Sequence, residues 1–122
     1  MPKALCSKIK NTPHIVLNDE EIGIKLDLVE EKEGILIFEK KYNNQAGFIF
    51  VVCDERIDIK KFKERYKCYS NFVKEKTHGM FKEVELVVVS KEISKEVKRI
   101  IDSYNESYIE RKPIRYIILK NN

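Results

Sequence analysis

Apolar residues recur along the chain in three rhythms, and each predicts an element. Alternation marks the first: Ile22, Ile24, Leu26 and Leu28 fall on one face with Lys25 and Asp27 on the other, the pattern of a half-buried strand. Unbroken apolar runs mark the second. Phe48 to Cys53, Val84 to Val89 and Ile114 to Leu119 are of strand length, and the first reads as a central strand covered on both faces. Helical spacing marks the third. Ile59, Phe62, Tyr66, Tyr69 and Val73 form one stripe, with Asp58 as N-cap, Ile57 and Phe62 as a hydrophobic staple, and His78-Gly79 as the stop.

Further along, Ser90 is placed to cap a second helix whose apolar positions are Ile93, Val97, Ile100, Ile101 and Tyr104, ending near Asn105. At the other end of the chain, Ala4, Leu5 and Ile9 suggest a short helix over residues 2–11, stopped by Asn11-Thr12-Pro13. Ile15-Val16-Leu17 reads as a short strand followed by an Asn18-Asp19-Glu20 turn, and Tyr42-Asn43-Asn44-Gln45 as a second turn.

Turn geometry sets the register of the hairpin between Ile22 and Lys41. A three-residue loop Lys32-Glu33-Gly34, with Gly34 left-handed, is a favoured connection and pairs Glu31 with Ile35, so that Asp27 stands opposite Glu39. Strand side chains have period two, so Asp27, Glu39 and Lys41 then share a face. A two-residue loop is expected to put the Asp and the Glu on opposite faces. The element order is α-β-β-β-β-α-β-α-β, an α+β (mixed α/β) fold in one domain over 1–122. Its mixed twisted sheet is begun by antiparallel hairpins and carries helices packed on it. No repeat or low-complexity linker interrupts it.

Composition narrows the class. The 122 residues suffice for one core, and the 43% hydrophobic and 36% charged content, rich in Lys, Glu and Ile and without Trp, leans toward thermophile-like usage. The net charge of +4 comes from 24 bases interspersed with 20 acids, which permits an anionic partner without demanding one. Cys6, Cys53 and Cys68 are odd in number and lack C-x-x-C spacing, so reduced thiols, neither a disulfide framework nor a zinc knuckle, are expected. Cys53 and Cys68 read as small core residues. No stretch resembles a signal peptide or a membrane span, so a cytoplasmic protein without membrane contact is the expectation.

Two carboxylates and a lysine on adjacent strands are the residue types that hold Mg²⁺ and orient a water for phosphodiester hydrolysis. Here the hairpin resembles the PD-(D/E)xK nuclease superfamily, which includes Holliday-junction resolvases and many restriction enzymes. The resemblance implies that Asp27 and Glu39 are metal ligands and Lys41 the catalytic lysine, within a mixed sheet flanked by helices. It covers residues 22–41 in pattern and the remainder as element order. Lys40 stands where the motif usually has an apolar residue, no acid precedes Asp19, and a full strand, Phe48 to Cys53, follows the hairpin before the helix.

Those departures suit a non-catalytic interaction module that binds protein or nucleic acid on this fold. A Mg²⁺-dependent phosphodiesterase using Asp27, Glu39 and Lys41 is the alternative, and a small oligomeric scaffold, such as a homodimer paired along a free edge at Ile15–Leu17 or Ile114–Leu119, a second one. The trio also has a plainer reading, a solvated ion cluster on the wet face of a hairpin. Lys60, Lys61, Lys63 and Lys67 are the candidate nucleic-acid contacts, set against an ordinary solvated helix face diluted by Glu64. The tyrosines fall mostly on core stripes or their edges, which argues against an aromatic nucleic-acid platform. His14 and His78 sit beside turn signals and read as loop or cap residues rather than metal ligands. With four glycines and no phosphate-cradling loop or G-x-S-x-G, nucleotide-fold enzymes and serine hydrolases are disfavoured.

Overall fold

The apolar runs assemble into one sheet with helices on both sides. A computed structural model describes residues 3–17, 23–42, 45–108 and 111–119. In chain order the elements are α1 (Lys3–Asn11), β1 (Lys25–Lys32), β2 (Ile35–Tyr42), β3 (Gln45–Val52), β4 (Arg56–Ile57), α2 (Ile59–Thr77), β5 (Val84–Ser90), β6 (Glu92–Ile93), α3 (Lys95–Ser107) and β7 (Arg115–Ile118). The main sheet runs β1-β2-β3-β5-β7. Its first three strands are an antiparallel meander, and β5 and β7 add in parallel after α2 and α3. This is the α+β class that the alternation and runs predict.

Period two splits the sheet into two cores. Ile35, Ile37, Phe50, Val52, Leu86 and Val88 face α2 and α3, where they meet Phe62, Tyr69, Phe72, Val73, Val97 and Ile101. Leu36, Phe38, Ile49, Val51, Val87 and Val89 face the other way, onto Leu5, Cys6 and Ile9 of α1. The run Phe48 to Cys53 is apolar throughout because β3 and the chain just after it are covered on both sides.

Helix starts and stops follow local chemistry. The Asp58 carboxylate accepts from the Lys61 amide at 2.8 Å, and α2 closes with His78 left-handed at φ 54° and Gly79 at φ 87°. A small parallel pair of β4 with β6 brings the entries of α2 and α3 side by side: Ile57 precedes Asp58, and Ile93 precedes Ser94.

Four expectations are corrected. Ser94, one turn later than expected, caps α3 by accepting from the Val97 amide, because Ser90 still belongs to β5 and its single hydroxyl proton is shared between the carbonyls of Glu55 and Glu92. Residues Ile15 to Leu17 form no strand. Pro13–Val16 is a 3₁₀ turn, favoured by the fixed φ and missing N–H of Pro13, and it buries Val16 against the α1 face. Cys6 and Cys53 are joined in a disulfide across a sequence separation of 47, which overturns the expectation of reduced thiols for this pair; Cys68 stays free. The hairpin loop is the fourth, described below. Ile22, the Asn18-Asp19-Glu20 turn and the Asn43-Asn44 pair lie outside the described residues. No described helix is long and apolar enough to cross a membrane.

Candidate functional site

The β1–β2 hairpin turns on two residues, Glu33 and Gly34, with Lys32 opposite Ile35. Continued unbroken, that register would put Asp27 against Lys40. A β-bulge at Val29 inserts one extra residue into β1, so that Glu30 pairs with Ile37 while Leu28 pairs with Phe38. Asp27 therefore faces Glu39 after all, through a bulge rather than a three-residue loop. Glu39 and Lys41 continue the parity of Ile35 and Ile37, so the trio lies on the side of the sheet that α2 and α3 cover.

The three side chains sit on a rim. Lys41 Nζ lies 3.4 Å from Asp27 Oδ2, the lysine side chain 62% and the aspartate 37% exposed. Glu39 is half-buried beside Phe48, which packs edge-on against Phe72 of α2 at 5.3 Å. Mg²⁺ prefers several oxygen donors in a near-octahedral shell. The cluster offers two carboxylates, one of them already beside an ammonium, and no group of three or more His, Cys, Asp or Glu suited to a metal occurs among the described residues. Mg²⁺ keeps several waters and is commonly held by one or two carboxylates, so the donor types of Asp27 and Glu39 fit such an ion, at a place that is open to water and where Asp27 already stands beside an ammonium.

A different polar group is held far more tightly at the turn end of the hairpin. Asp54, just beyond β3, is 5% exposed and accepts two bonds from the Arg65 guanidinium of α2, at 2.7 and 2.9 Å. The bidentate bond to Asp54 raises the Arg65 pKa above its ordinary value. Gly34, at φ +72°, packs against this pair so closely that a Cβ there would lie 2.5 Å from an Arg65 nitrogen. Sequence reading missed the pair; an Asp ending an apolar strand, with an Arg one helix turn beyond the first turn of α2, is the signal that could have found it. At the far side of the sheet a second shielded pair joins Arg115 to Glu85 at 2.6 Å.

Comparison with known proteins gives one match. No family model and no curated protein matches the chain. A solved structure of EndoMS in apo form, a PD-(D/E)xK-type endonuclease, superposes over 100% of this chain with a TM-score of 0.64 at 13% identity. The fold is that of the superposed part of the EndoMS chain. The chain spans about half the length of the EndoMS chain, 47% of it, and at that identity the likeness speaks for fold alone.

Of the four candidate lysines of α2, three, Lys60, Lys63 and Lys67, are exposed at the i, i+3 and i+7 spacing of one helix face. Lys61 is half-buried and lies 3.9 Å from Glu64, and Lys60 is exposed at the helix start. Lys63 and Lys67 border a groove of about 340 Å³ between α2 and α3, lined by Phe62, Tyr66, Ile100, Tyr104, Tyr108 and Ile114. Its rings pack on one another at an angle: Tyr66 with Tyr104 at 6.1 Å and Tyr104 with Tyr108 at 4.8 Å. Arg111 lies over Phe81 at 4.0 Å and over Tyr108 at 4.5 Å and donates to the Tyr104 hydroxyl. Burial pushes the Tyr66 phenol up to about 12, with Tyr104 adding to the shift, and burial likewise raises Tyr69, whose hydroxyl donates to the Val84 carbonyl.

Proposed function

We propose that this chain is a non-catalytic interaction module on a nuclease-like fold. The observation that carries the reading is the state of the trio: Asp27 has an ammonium 3.4 Å away and both side chains stand open to water. In that setting the pair is a surface ion cluster of small energetic weight, rather than desolvated donors poised over a cation. The well-shielded polar chemistry of the hairpin lies at its other end, where Asp54 and Arg65 bond each other twice and no buried side-chain polar atom among the described residues lacks a partner.

The second reading, a Mg²⁺-dependent phosphodiesterase, rests on the register that sets Asp27 opposite Glu39 with Lys41 on the same face. The scaffold reading is weaker. β1 and β7 are the edges of the main sheet, but β1 carries a bulge and alternating charges that discourage strand addition. Incubation with labelled branched, double- and single-stranded nucleic acids in Mg²⁺ or Mn²⁺, beside Asp27→Ala, tests the choice. The module reading expects no product that the substitution removes. Product formed by the native chain and lost in the variant assigns the trio its catalytic role.

A further inference from the structure

We infer that the groove between α2 and α3 is the docking surface of this module, and that its occupant is an amphipathic helical segment of a protein partner, apolar on one face and acidic beside it. The inference rests on the module reading and names its partner.

The floor is apolar and already shaped. Ile114, 3% exposed, is fixed by Asn105, whose amide donates to the Ile114 carbonyl at 3.0 Å and whose side-chain oxygen accepts from the Ile114 amide at 2.8 Å. Arg111 is held by Phe81, Tyr108 and Tyr104. A preformed floor spares a ligand the cost of ordering it. The lips are where the groove meets water: Ile100 is 37% and Tyr108 47% exposed, apolar surface that the fold leaves uncovered.

Charge then selects the occupant. Lys63 and Lys67 stand four residues apart on one lip, both exposed, with no ion-pair partner among the described residues. Like charges at that helical spacing repel, so the fold gains nothing by keeping them together. Carboxylates four residues apart on a bound helix would match their spacing, while apolar side chains on its adjacent face, at their own i, i+3, i+7 positions, enter the groove. A single-stranded nucleic acid would also meet the lysines, but it needs ring faces open for stacking. Here Tyr104 and Tyr108 are tilted onto each other at 45°, and Arg111 occupies one face of the Tyr108 ring.

The test is selection from a displayed library of helix-forming peptides about 14 residues long, with an apolar stripe and randomised flanking positions. It is run on the native chain and on Ile100→Asp, whose exposed site leaves the core intact. The expected result is enrichment of peptides with acidic residues spaced i, i+4. Their affinity should fall at least about tenfold in Ile100→Asp, and also in Lys63→Glu/Lys67→Glu. Enrichment of basic or neutral peptides, equal selection on Ile100→Asp, or no enrichment overturns the inference. So does a labelled single-stranded oligonucleotide that binds the native chain and is released by Ile100→Asp. Failure of the module reading itself would appear separately, as cleavage abolished by Asp27→Ala.

Discussion

Reducing the Cys6–Cys53 bond should weaken the fold by an amount the structure allows to be calculated. The bond closes a loop with a sequence separation of 47, and it ties α1 to the end of β3. In the chain-entropy model, closing a loop of that length removes about 4 kcal/mol of freedom from the unfolded state at 25 °C. Both sulfurs lie inside the α1-side core, Cys6 at 7% and Cys53 at 0% exposure, so on reduction two thiols must also part within a close-packed interior, and the entropy released to the unfolded chain is the smaller estimate of the loss. With a urea slope of about 1–3 kcal/mol/M, the unfolding midpoint should fall by at least about 1 M in excess reductant. Thiol titration of protein unfolded without reductant should find one free thiol, Cys68. Three free thiols, or coincident midpoints for the oxidised and fully reduced chain, would refute the account of this bond.

Other consequences follow from the shielded groups. Asp54→Ala strands the Arg65 guanidinium, whose side chain is 15% exposed, and should cost about 3–5 kcal/mol by denaturant unfolding; a double replacement by apolar residues should recover much of the loss. Gly34→Ala forces a Cβ onto both partners of that pair at φ +72°, and should destabilise by at least about 1–2 kcal/mol in the same assay. Because burial raises the Tyr66 phenol from 10 to about 12, and raises Tyr69 in the same direction, the folded chain holds these protons more tightly than the unfolded one. Their contribution to stability is full below pH 10 and is lost as pH rises toward 12, which urea unfolding across that range, with phenolate absorbance, would check.

Legibility in the sequence depended on whether a signal was local. The α2 cap and stop were readable because Asp58 and His78-Gly79 act within a few residues of themselves. The choice between Ser90 and Ser94 was not, since both stand three residues ahead of a position suited to helix and only the pairing of β4 with β6 decides between them. Two errors cancelled in the hairpin: the loop is shorter than expected, and the bulge at Val29, which no turn rule announces, restored the pairing of Asp27 with Glu39. The disulfide and the Asp54–Arg65 pair were hidden because each joins residues on different elements. The groove was half legible, since Ile100 and Tyr104 were assigned to a core stripe, but Ile100 turns outward beside the lysines of α2.

The most direct test of the central claim is a single-turnover incubation, with protein in excess over end-labelled branched, duplex and single-stranded DNA and RNA in Mn²⁺. The native chain should be compared with Asp27→Ala and Glu39→Gln. An interaction module predicts identical, uncut substrate in all three, and strand scission by the native chain that both substitutions abolish would contradict it.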